Sequence, residues 1–209
     1  MPAAAEDAAG RRGCWHDGPM PTHVALLRGI NVGGGGKVPM AELRELLAKL
    51  GHSEVKTYIQ TGNIIFTPSP AWHGESAKLA AELAQAIKDA FGVNTTAVVL
   101  TTAELSKVIS ANPYPDEPNP KWVHGVFLLA DPQQAQHDRV AEAVAAAADR
   151  GSRDEATIVG RTLYLHTPDG FGTSELAREL LMKNRRDPLA SGTARNWSTI
   201  TKLLALCEE

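Results

Sequence analysis

The chain has 209 residues, with 21 Lys+Arg against 24 Asp+Glu, a formal net charge of −3, 43% hydrophobic and 22% charged residues. That balance is ordinary for a globular protein and argues against a dedicated nucleic-acid binder, which carries a basic excess. No stretch approaches the ~18 consecutive apolar residues of a membrane span. Cys14 and Cys207 have no metal-ligand spacing, so they read as free thiols of a protein in a reducing cytoplasm.

At about 100–200 residues per domain, one or two domains are expected. Residues 1–19 hold Ala, Gly, Asp, Glu and Arg without periodicity and without the apolar core of a secretory signal. They read as a disordered leader, with Met20 as an alternative start to Met1. Cys14, Trp15 and His16 fall in this leader and are discounted. Val24–Leu27 is a short apolar run, the pattern of a buried strand. A glycine-rich loop from Gly29 to Lys37 follows. Leu43, Leu46, Leu47 and Leu50 then fall at i, i+3, i+4 and i+7, an amphipathic helix closed by Gly51. Val55–Ile59 and Ile64–Phe66 are β-rich segments around the turn Gln60-Thr61-Gly62-Asn63, which predicts a hairpin. A helix is expected from Ser76 to Phe91, closed by Gly92, and a fourth strand over Ala97–Leu100. The order β-α-β-β-α-β is the ferredoxin-like pattern. Thr101 and Glu104 form a capping box for one further helix.

Four prolines at 113, 115, 118 and 120 exclude helix, so 112–120 reads as a linker. The expected domains are therefore 20–111, an N-terminal ferredoxin-like half, and 121–209, a C-terminal α+β half. In the second half Trp122–Ala130 reads as a strand and Asp131-Pro132 as a helix start. Ala156–Val159 and Thr162–His166 flank Gly160-Arg161 as a hairpin. Gly170–Ser174 leads into a helix containing Leu176, Leu180 and Leu181. The last helix is expected to begin near Thr193, with Thr193 as its N-cap, replacing the final strand. The fold class is α+β: two ferredoxin-like (βαββαβ-type) halves, the second ending in an extra C-terminal helix.

The loop Gly29–Lys37 joins a strand to a helix, where backbone N–H groups can cradle a phosphate or carboxylate. It matches neither a Walker A loop nor a dinucleotide fingerprint. Arg28 follows the buried strand directly, and Lys37 adds a second positive charge. In a ferredoxin-like sheet strands one and three are central neighbours, so Arg28, Asn31, Gln60 and Asn63 are expected to cluster. Arg195 and Asn196 at the last helix start offer guanidinium and amide groups for an anion. Gly170–Ser174 is a weaker candidate, because Glu175 would repel an anion. No catalytic set or metal site emerges. Ser174, His166 and Asp169 lie close in sequence without a nucleophile-elbow pattern, and no histidine has i, i+4 ligand spacing.

Val24-Ala25-Leu26-Leu27-Arg28-Gly29-Ile30-Asn31-Val32-Gly33-Gly34, Lys37-Val38-Pro39-Met40 and Thr57-Tyr58-Ile59-Gln60-Thr61-Gly62-Asn63 resemble a bacterial family known as domain of unknown function 1697. Ala194-Arg195-Asn196-Trp197-Ser198-Thr199 with Lys202-Leu203 is similar to that family's closing motif. The resemblance implies no activity or cofactor. It maps the family's recurrent polar positions onto Arg28, Asn31, Lys37, Gln60, Asn63, Arg195 and Asn196. The chain departs from the pattern at Gly35-Gly36 and at Thr173-Ser174-Glu175. The leading functional expectation is binding of a small anionic ligand, such as a nucleotide, at the glycine-rich turn. The alternative is a non-catalytic binding or assembly module, able to oligomerise, in which these motifs are structural and Arg195 clamps the halves together. Nucleic-acid binding ranks third because of the acidic balance.

Overall fold

The computed structural model describes residues 20–33, 36–183 and 187–209. The leader at 1–19 and the loop glycines Gly34 and Gly35 lie outside the described residues. The first half runs β1 (His23–Leu27), α1 (Met40–Lys49), β2 (Ser53–Tyr58), β3 (Asn63–Thr67), α2 (Ser76–Phe91), β4 (Ala97–Thr101) and α3 (Thr102–Ser110). Its antiparallel sheet has the order β2-β3-β1-β4. The second half runs β5 (Val123–Phe127), α4 (Gln134–Asp149), β6 (Glu155–Val159), β7 (Thr162–His166), α5 (Glu175–Leu181), β8 (Thr193–Asn196) and α6 (Trp197–Cys207). Its sheet has the matching order β6-β7-β5-β8. Each half is thus a complete ferredoxin-like βαββαβ unit followed by one helix.

Two expectations are corrected here. The second half keeps its final strand: Thr193–Asn196 pairs with β5, Gly125 opposite Arg195 and Phe127 opposite Thr193. Thr193 is therefore no N-cap. Asn196 caps α6 instead, its side chain accepting from the Thr199 N–H. Asn63 belongs to β3 rather than to the turn, and it is fully buried. The hairpin tip is Ile59–Gly62. Smaller differences are boundary shifts, such as α4 starting at Gln134 behind a Gln133/Gln136 capping box. The Thr101/Glu104 capping box is present as expected.

Both faces of each sheet are covered, which explains the continuous apolar runs Val24–Leu27 of β1 and Ile64–Phe66 of β3. Along β1, Ala25 and Leu27 face α1 and α2 in one core, while Val24 and Leu26 face the second half. The second half builds its own core from Val126, Leu163 and Leu165 against Val140, Leu176 and Leu180. A third core lies between the halves. There α3 and α6 pack on one another, and Leu105, Ile200 and Leu203 meet Val24, Ile65, Val98 and Phe127. The linker is bound to this assembly. The Glu117 carboxylate pairs with His166 at 2.7 Å, the Tyr114 ring stacks on His166, and the Trp197 N–H donates to Pro120 O.

Gly62 closes the β2–β3 hairpin with φ +83°, and a Cβ there would lie 2.7 Å from Leu27 Cβ. Gly62→Ala combines a left-handed backbone with a clash against the central strand. It is expected to destabilise by about 1–3 kcal/mol, read by denaturant unfolding.

His124 on β5 stacks on Phe171, ring centroids 4.1 Å apart, and its Nδ1 is buried without a partner among the described residues. Burial pushes its pKa down to about 4. The unfolded chain takes up a proton near pH 6.5 that the folded chain refuses until about pH 4, so stability falls as pH drops through that window. The loss attributable to His124 is expected to be about 3 kcal/mol. It is measured as the difference in pH slope of unfolding between wild type and His124→Asn, and an unchanged slope would contradict it.

Candidate functional site

The seven sequence-derived positions separate into an internal network and an exposed remainder. Asn31 sits in the left-handed region at φ 55° and ties the glycine-rich loop together. Its Nδ2 donates to Val38 O at 2.9 Å and to Gln60 O at 3.0 Å, and its Oδ1 accepts from the Val38 N–H at 2.8 Å. The loop and the hairpin tip are therefore joined through one amide, as the adjacency of strands one and three led us to expect. Only the Gln60 backbone takes part; its residue is exposed. Next to it, Ile59 holds φ 50° with its side chain half exposed, and nothing in the structure explains this strain.

Arg195 is the centre of the network. It lies on the inter-half face of β8 opposite Gly125, whose missing side chain leaves room in that row. Its Nε donates to Asn63 Oδ1 at 2.5 Å. Its Nη2 donates to Leu27 O at 2.7 Å, Thr61 O at 2.9 Å and Gly62 O at 3.3 Å, and its Nη1 donates to Ala194 O at 2.8 Å. Asn63 completes the junction by donating from Nδ2 to Tyr58 O at 3.0 Å and to Thr61 Oγ1 at 3.2 Å. One guanidinium thus bridges β8 to the ends of β1 and β3. No carboxylate accompanies it among the described residues, and burial lowers its pKa to about 10. It stays cationic at neutral pH, held by carbonyl and amide dipoles alone.

Three positions lie apart. The Arg28 side chain is exposed and reaches Ser191 O at 3.4 Å, away from the hairpin. Lys37 is exposed at the end of the loop, and Asn196 is engaged in capping α6. The residues Ser174, His166 and Asp169 do not converge. Ser174 bonds Asp154, His166 bonds Glu117 and Asp169 pairs with Arg153. Among the described residues no cluster of three or more metal-ligating side chains exists, and no helix is long and apolar enough to cross a membrane.

A cleft of about 570 Å³ lies elsewhere, between the halves. One wall is the free edge of β4 with α2 and α3 beside it. The other is the Phe127–Leu129 segment and the β6–β7 hairpin. Alanines 77, 81 and 84 of α2 keep the first wall open, while Leu129 and Val159 form a partly exposed apolar lip. Thr95 and Thr96 also line it, and both bond the Arg28 backbone. This cleft carries no sequence motif, because its walls are largely Ala, Val and Leu. The strand order of a ferredoxin-like sheet, which leaves β4 at an edge, is the signal that would have located it.

The fold and network define a class of two-unit α+β proteins with duplicated ferredoxin-like build. The chain belongs to the family described as Protein of unknown function (DUF1697), whose model matches residues 20–164. That match ends before β8, so Arg195 and Asn196 lie beyond it. Among solved structures, the chain is similar to the conserved bacterial protein SP0830 from Streptococcus pneumoniae. The two share 22% identity and a TM-score of 0.65, over 90% of this chain and 99% of that one. This likeness concerns the fold. A search of curated proteins gave no match.

Removing either side of the Arg195–Asn63 contact leaves buried partners unpaired. Arg195→Ala and Asn63→Ala are each expected to destabilise by roughly 2–4 kcal/mol. The double variant should lose less than their sum, a coupling read from a double-mutant cycle in urea. Additive losses would show that the two side chains do not act together.

Proposed function

We propose that this chain is a non-catalytic binding module. In this reading Asn31, Asn63, Arg195 and Asn196 are structural, and the partner is received in the cleft between the halves. The observation that carries it is the hydrogen bonding of Arg195. Its guanidinium donates to five acceptors inside the protein, four of them on the first half. A guanidinium arranged this way works as a clamp and has little left to offer an incoming phosphate. The amide of Asn31 is likewise engaged at both its nitrogen and its oxygen. The cleft supplies what the polar network lacks: concavity, apolar walls and a few polar groups, the ordinary make-up of a binding site.

The anionic-ligand reading, which the sequence placed on Arg28, Asn31, Lys37, Gln60, Asn63, Arg195 and Asn196 around the glycine-rich turn, keeps Arg28, Lys37 and Gln60 as its exposed residues. The two readings separate in a thermal-shift panel of inorganic phosphate, nucleotides and sugar phosphates. The binding-module reading expects no specific stabilisation beyond the general effect of salt. Stabilisation of the wild type that disappears in Arg28→Ala/Lys37→Ala, with both proteins folded, would establish the anion site and overturn our reading.

A further inference from the structure

The β4 edge facing the cleft has an unusual hydrogen-bonding state. Strands β1 and β4 pair with Leu26 opposite Val98 and Leu27 opposite Ala97. The Arg28 N–H donates to Thr96 O, and the Thr102 N–H donates to Thr22 O. In an antiparallel ladder these bonds alternate, so residues 96, 98, 100 and 102 turn their backbone groups toward β1. Residues 97, 99 and 101 turn theirs outward. Consistent with this, Leu27, opposite Ala97, donates its N–H to Gly62 O on the far side of β1. At Thr101 the outward N–H is taken by Glu104 Oε2 at 2.7 Å. Ala97 and Val99 retain both outward N–H groups and both outward C=O groups with no partner among the described residues. Both residues are more than nine-tenths buried, and both line the cleft.

We infer that this edge receives an extended peptide segment of another protein, which adds a strand beside β4 by pairing with Ala97 and Val99. The inference rests on the cleft being the binding site. Several features select this occupant. Backbone donors and acceptors in strand alternation match another strand and no compact ligand. The opposite wall, formed by residues 127–129 and 159–162, confines the opening to a slot. A single extended chain enters such a slot. A second copy's β4 would bring its own β1 and α2 with it. The alanines of α2 and the lip of Leu129 and Val159 favour apolar side chains on the incoming strand. Charge adds a preference. Lys107 and Arg161 line the cleft; Arg161 is held by Leu128 O, Leu129 O and Asp131, and the acidic residue Glu104 is bound to the Thr101 N–H and hydroxyl, so Lys107 carries the positive balance. An acidic residue flanking the apolar segment complements this balance.

The test uses a pool of hexapeptides with alternating Val, Ile, Leu and Thr and an Asp or Glu at one end. It is titrated into the ¹⁵N-labelled full chain. The expected result is a shift of the Ala97 and Val99 amide signals together with slowed hydrogen exchange at both. Binding should weaken at least tenfold in Val99→Pro, which removes an outward N–H and leaves the β1 ladder intact. Should that variant not fold, the same pool N-methylated at every residue serves in its place, and it should not bind the wild type. Ala81→Trp, which obstructs the cleft, should also abolish binding. Binding that is lost in Ala81→Trp but indifferent to Val99→Pro and to N-methylation would overturn strand addition and leave the cleft reading standing. Binding indifferent to all of these changes would overturn both. Failure of the pool to bind at millimolar concentration, or concentration-dependent dimerisation through the same amides, would overturn the inferred occupant.

Discussion

Everything between the two halves is organised around one buried cation. A guanidinium removed from water without a carboxylate must find enough dipoles to replace its hydration, or the position is untenable. Arg195 finds them at the ends of strands: Leu27 O at the end of β1, Thr61 O at the hairpin tip, and Gly62 O, which it shares with the Leu27 N–H. Asn63, buried in β3, supplies the acceptor for Nε and is itself held by Tyr58 and Thr61. Because these acceptors belong to one sheet and the donor to the other, the network sets the register between halves. The surrounding third core of Val24, Ile65, Val98, Phe127 and Ile200 is apolar and non-directional. Apolar burial supplies attraction between the halves. The directional hydrogen bonds restrict the ways in which they can meet.

The middle layer gives the duplication its purpose. Each ferredoxin-like unit leaves one sheet face uncovered, and α3 and α6 fill the space between the two. Gly125 fits the same logic. It lies in the row of β5 that faces Arg195 and Tyr164, and a Cβ there would come within 2.9 Å of Ile200 Cδ1. The proline-rich linker is likewise part of the packed structure, secured through Glu117, Tyr114 and His166. Joined this way, the halves leave a gap where the edge of β4 stands away from the second sheet. That gap is the cleft. Its location follows from strand order, since β4 ends the first sheet and has no neighbour on its outer side.

The glycine-rich loop takes on a different character in this setting. Asn31 near its start bonds Val38 just past its end and Gln60 on the hairpin. Residue types that often bind phosphate here serve to connect backbone segments. Carbonyls at strand ends and N–H groups in loops need the same donors and acceptors that a ligand would use. From a list of polar residues the two uses look alike, and only the partners tell them apart.

Local pattern carried much of the fold. The leucine stripe of α1, the long helix from Ser76 to Phe91, the Thr101 capping box, both hairpins and the ferredoxin-like order were all legible. Their signals are periodicity, turn glycines and caps, which act within a few residues. The adjacency of strands one and three pointed to a cluster of Arg28, Asn31, Gln60 and Asn63; Asn31 does meet the Gln60 backbone, whereas the Arg28 side chain reaches Ser191 instead. Two things were not legible. Strand β8 is four residues, Thr-Ala-Arg-Asn, with no apolar run and a helix directly behind it. It is a strand because β5 offers an edge to pair with. Whether Arg195 faces a ligand or a neighbour also lay outside the sequence. That depended on which carbonyls the packing of one sheet against the other brought within 3 Å of its nitrogens, because long-range contacts, unlike propensities, exist only after the chain has closed.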